Sequence, residues 1–257
     1  MRIAKSKITK PMNFGLSTLS LSIAVFSGLL TQLRAQSEIN FRGNYGDSKI
    51  TSIVKFVPPS DQIVDNSRGG ASRAEIKCSH DQAYNHSFKA LLPASNQGLT
   101  VATHPSFLVY LPKTSAPIIH FTLRDENNRG VYQTTVPIVK TGGIVSISLP
   151  EDQPPLQLGK TYQWSVALIC QPTQTDIPFA SGKVRRIELN SSLSSQLDNK
   201  NLLQQAFSYG QAGIWYESLV ILAQLRKTRP DDQTIADNWL QLLNSVGLEE
   251  IAAEPLL

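Results

Sequence analysis

Histidine and cysteine are scarce in this chain: four and two among 257 residues. Scarcity of the commonest metal ligands and acid–base groups narrows the available chemistry. Cys78-Ser79-His80 brings two ligand types together, but on an extended strand they stand two residues apart, and His86 belongs to another loop. Zinc needs three or four ligands, usually in paired short spacings, so a zinc site or a cysteine nucleophile is the weaker reading. Also missing are a G-x-S-x-G elbow, an H-E-x-x-H helix, a phosphate-binding glycine loop and a Rossmann fingerprint. Asp125-Glu126 falls in a turn, without the spaced D-x-D-x-D-G of a calcium loop. His104 precedes Pro105 in a loop and His120 lies inside an alternating strand; neither has a visible catalytic companion. Gly69-Gly70-Ala71-Ser72-Arg73 reads as a flexible loop before it reads as an anion nest. The sequence therefore assigns no catalytic, cofactor-binding or metal-binding residue.

Acidic residues are missing from the first 35 positions, which hold Arg2, Lys5, Lys7, Lys10 and Arg34. An uncharged apolar run from Phe14 to Leu30 follows the basic start, and small and polar residues lead to Ala35-Gln36. That is the layout of a secretory signal peptide over 1–35. The run is about 17 residues long, with Ser and Gly inside it, short of the ~20 that span a bilayer. The alternative is an uncleaved anchor, since Leu33 is a poor fit to the small residue expected three before the cut. No cysteine near the cut supports a lipid anchor, and no other segment is apolar enough to span. The expected place of work is the periplasm or the cell exterior, with no stable membrane span after cleavage. The charge follows the same division. The whole chain carries 24 Lys+Arg against 20 Asp+Glu, net +4, whereas without the leader 19 basic residues face 20 acidic ones. The high isoelectric point belongs mostly to the leader, so nucleic-acid binding loses its main support.

Residues 36–73 are rich in Gly, Ser, Asn and Asp and read as a loosely ordered lead-in, in which only Ser52 to Val57 suggests a strand. From 74 to 190 short runs of Val, Ile, Thr, Phe and Tyr recur between Gly, Pro, Asn and Asp clusters. Ile118 to Arg124, the turn Asp125 to Gly130, and Val131 to Val139 read as a hairpin. Seven or so such strands argue for an antiparallel β-sandwich of immunoglobulin or fibronectin type III kind. Leu156-Gln157-Leu158-Gly159-Lys160-Thr161-Tyr162 resembles the entry to a late fibronectin strand, where a corner tyrosine bonds back to upstream backbone. In an exported chain an even pair of cysteines is most simply a disulfide, so Cys78 and Cys170 are expected to bridge two strands.

After Asn190 the apolar period becomes helical. Asp198 can cap a helix to Tyr209; Gly213 opens a second, which Pro230 stops; Asp231-Asp232 start a third, which Gly247 ends. Ala206, Tyr209, Gly213, Trp215, Leu222, Leu225 and Pro230 resemble one tetratricopeptide repeat. A single copy is too small to stand alone, so 191–257 is expected as a helical hairpin plus third helix, packed on the sandwich. The fold class is thus α+β, with strands and helices segregated along the chain.

The order Arg68 to Arg73, Cys78, Leu91-Leu92-Pro93, His104-Pro105 and Tyr110-Leu111-Pro112 resembles a cyanobacterial family called "domain of unknown function 928". So do Leu158 to Trp164, Cys170, Gly213-Ile214-Trp215-Tyr216-Glu217, Trp239, Leu242-Leu243 and Val246-Gly247-Leu248. The resemblance implies an exported cyanobacterial protein with no assigned activity. Three functions follow as expectations. The first is a non-enzymatic periplasmic or cell-surface module that binds a protein or envelope component. The second is an envelope hydrolase or carbohydrate-processing enzyme, which needs a cleft gathering His104, Asp125 or Glu126 with another polar group. The third is a structural envelope protein, which an exposed strand edge would favour.

Overall fold

Alternating apolar residues set the strands, and the computed structural model describes them within residues 53–60, 77–82, 86–171, 173 and 175–257. The leader, the cut before Gln36, Ser52 and the Gly69-Gly70 loop lie outside the described residues. Eight strands come first: β1 (Lys89–Ala90), β2 (Gln97–Thr100), β3 (Ser106–Leu111), β4 (Ile118–Arg124), β5 (Gly130–Pro137), β6 (Gly143–Ser148), β7 (Thr161–Ile169) and β8 (Phe179–Arg186). Four helices follow: α1 (Ser191–Leu197), α2 (Leu202–Gln211), α3 (Trp215–Thr228) and α4 (Gln233–Asn244). A 3-10 turn over Glu249–Ile251 comes last. The chain is a mixed α+β protein with its strands before its helices.

The strands make two sheets, ordered β1-β3-β6 and β2-β8-β7-β4-β5. β4 and β7 alternate strictly: Ile119, Phe121 and Leu123, with Tyr162, Trp164, Val166 and Leu168, are buried. Phe107 of β3 meets Phe121 and Trp164 at 5.2 Å each, so the inner faces of the two sheets share one core. β3 is buried on both faces, because α3 covers its other side through Val220 and Ala223 near Leu108. The expected sandwich was antiparallel throughout. Instead β2 runs parallel to β8, from Gln97↔Lys183 to Thr100↔Arg186. These two strands are far apart in sequence, so no tight turn forces them antiparallel.

The helices differ from expectation at their start. Asp198 ends a helix rather than beginning one. Asn190 caps α1 by accepting from Leu193 N–H, and Asn201 caps α2 through a reciprocal box with Gln204. The tail therefore has four helices, not three. Asp232 caps α4 as expected from its position after Pro230. Buried aromatic groups find polar partners throughout, and two of their bonds join the tail to the strand region. Trp164 Nε1–H donates to Tyr216 Oη at 2.8 Å, Trp215 Nε1–H to the Leu91 carbonyl at 2.9 Å, and Trp239 Nε1–H to the Ala252 carbonyl at 3.0 Å. Burial pushes the Tyr216 phenol far above its ordinary range.

Candidate functional site

Polar side chains line several clefts, two of which hold the candidate residues, and hydrogen bonds show what each group is doing. The first cleft, about 660 Å³, is lined in part by His80, Asp81, Tyr110, Lys113, Thr114 and Glu254. Beside it the sulfurs of Cys78 and Cys170 lie at disulfide distance, with Cα atoms 5.5 Å apart. Cys78 is in irregular chain, not at the end of a strand as expected; Cys170 follows β7. The pair therefore lies between a loop and the end of a central strand rather than between two strands. Asp81 accepts from Thr114 Oγ1–H at 2.7 Å and from Ser115 N–H at 2.6 Å, which fixes the loop after β3. His86 stands 3.8 Å from a Glu250 oxygen and 3.6 Å from a Glu254 oxygen, with its ring edge-on to Tyr110. Lys89 pairs with Glu250 and holds that carboxyl below its usual range. Among the described residues no group of three or more His, Cys, Asp or Glu is placed to hold a metal.

The second cleft, about 410 Å³, gathers Asp125 and Glu126 with Lys160, Thr161 and Tyr162. The gathering named for a hydrolase, Asp125 or Glu126 with another polar group, is therefore present, though His104 is not among its lining residues. That histidine instead bonds the Gln153 carbonyl at 2.9 Å and Thr103 Oγ1 at 3.1 Å. Asp125 accepts from Asn127 N–H and Arg129 N–H, both at 2.9 Å, and so shapes the hairpin turn. Glu126 accepts from Thr161 N–H at 3.0 Å and Lys160 Nζ at 3.3 Å, and these donors lower its pKa. A general acid needs the opposite shift, so Glu126 is poorly tuned for that role. Tyr162 Oη accepts from Gln157 N–H at 3.0 Å, the back-bond that the corner motif led us to expect. His120 stands on the outer face of β4, between Thr135 and Ala167 in register.

The sheet edges differ more than the clefts do. At one end of the five-stranded sheet, β2 is met by α3. A Cβ on Gly98 would come within 2.7 Å of the Tyr216 ring and 3.1 Å of Trp215, so only glycine lets the helix approach this closely. Glu217, in the first turn of α3, accepts from Thr100 Oγ1–H at 2.6 Å and from the N–H groups of Val101 and Ala102 at 3.0 Å. All three bonds fall on Oε1; Oε2 is enclosed and has no hydrogen-bond partner among the described residues. Burial raises the pKa of this carboxyl. Glu217 lay inside a quoted sequence signature, but its partners more than a hundred residues away gave the sequence no signal for this role.

At the other end, β5 pairs only with β4 among the described residues. Ile138 N–H donates to the Pro117 carbonyl, which sets the phase of the ladder. Tyr132, Thr134 and Val136 then bond inward to β4, and Gln133 and Thr135 turn N–H and C=O outward. Gly130-Val131-Tyr132-Gln133-Thr134-Thr135-Val136-Pro137 carries no charge, and Val136 is exposed. The described edges of the other sheet are shorter and one is partly covered. β1 has two residues, and β6 is bridged by Leu256 at Ile144, whose N–H donates to Pro255 and whose carbonyl accepts from Leu257 N–H, while Ser146 and Ser148 turn outward beyond that bridge.

A family model described as "Domain of Unknown Function (DUF928)" matches residues 68–256, more than half of the chain. No curated protein matches. Among solved structures, the fn3 domain of human collagen alpha-1(XX) chain is 20% identical, with 35% of this chain and 76% of that chain covered. Its TM-score is 0.25, too slight a likeness to assign the fold.

Proposed function

The chain belongs to the Domain of Unknown Function (DUF928) family, and from that premise we propose an exported, non-enzymatic binding module. It takes up an extended segment of a periplasmic or cell-surface protein by strand addition at β5. The observation behind this reading, shared with the structural envelope alternative, is the open edge: eight uncharged residues with outward backbone groups at Gln133 and Thr135. Natural sheets protect such edges with charge, shortness, cover, proline or a bulge; β5 has Pro137 at one end and the irregularity at Leu123/Arg124 at the other, and the uncovered stretch between them can take up a further strand. Export rests on the basic residues, apolar run and Ala35-Gln36 of the leader. The Cys78–Cys170 pair fits an oxidising compartment, and no described helix is long and apolar enough to cross a membrane. We take the sandwich as immunoglobulin or fibronectin-like, with the Tyr162 back-bond as support. The divisions at 35, 73 and 190 are part of the same reading.

A photo-crosslinking amino acid at Val136 tests it in intact cells. The expected product joins β5 to a second protein and disappears in Thr135→Pro, whose lost N–H points outward. A crosslink between two copies of this chain would favour the structural envelope reading, because the same edge would then be serving self-association.

A further inference from the structure

Ser52 to Val57 was expected to hold a strand, and residues 53–59 are described. They run instead as an extended chain over the helices, without a ladder partner. Their alternation is real: Val54 and Phe56 are buried, while Ile53, Lys55 and Val57 are exposed. The partner is a helical groove. Val54 N–H donates to Asn238 Oδ1 at 2.7 Å, Phe56 N–H to Ser245 Oγ at 3.1 Å, and Val57 N–H to the Gly210 carbonyl at 3.0 Å.

The two side-chain acceptors are aimed by their own helix. Asn238 is buried and donates its Nδ2–H to the Thr234 carbonyl at 2.7 Å, which turns Oδ1 toward the extended chain. Ser245 donates its hydroxyl to the Leu242 carbonyl at 2.6 Å, which leaves its oxygen free to accept. Phe56 stands edge-on to Trp215, with ring centroids 5.1 Å apart. The floor is cut away for backbone. A Cβ on Gly210 would come within 2.7 Å of the Lys55 carbonyl oxygen, and one on Gly213 within 2.6 Å of Pro59. Backbone donors read in succession, with alternate side chains buried, are the recognition mode of extended peptides. The family model begins at residue 68. The groove residues Gly210, Gly213, Trp215, Asn238 and Ser245 therefore fall within the matched residues, and the segment occupying the groove precedes them.

We propose that the groove of α2, α3 and α4 is a receptor for an extended peptide of the pattern Val-x-Phe-x-Pro-Pro, with residues 54–59 as its resident ligand. A partner protein presenting that pattern competes for the same seat. A tethered ligand acts at an effective concentration on the order of mM, so a free peptide of ~10 μM intrinsic affinity is weakened ~100-fold until the resident segment leaves.

The test uses the full chain with a protease site placed between Ser60 and Lys77, compared before and after native cleavage. The probes are a fluorescent peptide of residues 50–61 and an unrelated peptide built on Val-x-Phe-x-Pro-Pro. Both are expected to bind the cut chain saturably, at least ~100-fold more tightly than the uncut one. A Phe→Asp change in either peptide should abolish binding, and Asn238→Ala in the protein should weaken it ~10-fold. Circular dichroism follows folding throughout. A cut chain that stays folded and exchanges neither peptide would overturn the proposal. Unfolding on cleavage would do so too, by showing the segment to be part of the core. A dimer of the uncut chain that depends on Phe56 would place a second copy in the groove and overturn the partner. The β5 reading stands or falls separately, since its crosslink does not involve this groove.

Discussion

The two ends of the five-stranded sheet are treated in opposite ways. β2 has four residues, pairs in parallel, and is closed by a helix whose Glu217 accepts the backbone donors just beyond it. β5 has eight residues, pairs antiparallel, and ends in the open. Parallel pairing is slightly weaker per residue, and β2 is short, so closure by α3 compensates for what the ladder lacks. β5 is held by a hairpin with a well-bonded turn and needs no such cover. An edge that is stable without protection is available for a partner.

The largest expected effect concerns the strand between these ends. Replacing Cys78 and Cys170 by serine removes a closure of 92 residues, worth ~4–5 kcal/mol by loop entropy if the bridge is formed. Non-reducing peptide mapping of exported protein should find the linked pair; two freely alkylated thiols would remove the bridge from the account. Next, Trp215→Ala should cost ~3–5 kcal/mol in urea unfolding, because the ring is fully buried. It also leaves the Leu91 carbonyl without its donor. A smaller loss, ~1–3 kcal/mol, is expected for Glu217→Ala, which strands the N–H groups of Val101 and Ala102.

Glu217 also gives the closed edge a pH dependence. Its folded pKa is raised above the ordinary 4.5, so its favourable contribution is complete below that value. The contribution is lost as pH rises through the folded pKa. Unfolding free energies measured from about pH 4 to 8 should show this decline. They should flatten in Glu217→Gln, which keeps the acceptor and removes the titration. At the open edge Thr135→Pro should change stability least, by under ~1 kcal/mol, since its N–H serves no bond to β4. A large loss there would mean that the outward groups are engaged within the fold.

Much of the sheet was legible because burial on one face writes a period of two. Ile118 to Arg124 and Tyr162 to Cys170 show that pattern plainly, and Gly159-Lys160-Thr161-Tyr162 located the corner. β1 was missed because two residues carry no period, and β2 because Gln97-Gly98-Leu99-Thr100 has a glycine where packing, not propensity, decides. The serine-rich run at α1 hid a helix whose signal is the cap at Asn190. Val54 and Phe56 alternate as a strand would, but alternation reports burial rather than the partner that buries it. The site was less legible still. Both β-sheet edges depend on pairings and contacts between distant residues, and Glu217 joins Thr100 across 117 positions.

Amide hydrogen exchange on the isolated protein tests the central contrast most directly. The account has Gln133 and Thr135 exchanging rapidly, while Tyr132, Thr134 and Val136 are protected by β4 and Val101 and Ala102 by Glu217. Protection at Gln133 and Thr135, or rapid exchange at Val101 and Ala102, would contradict it.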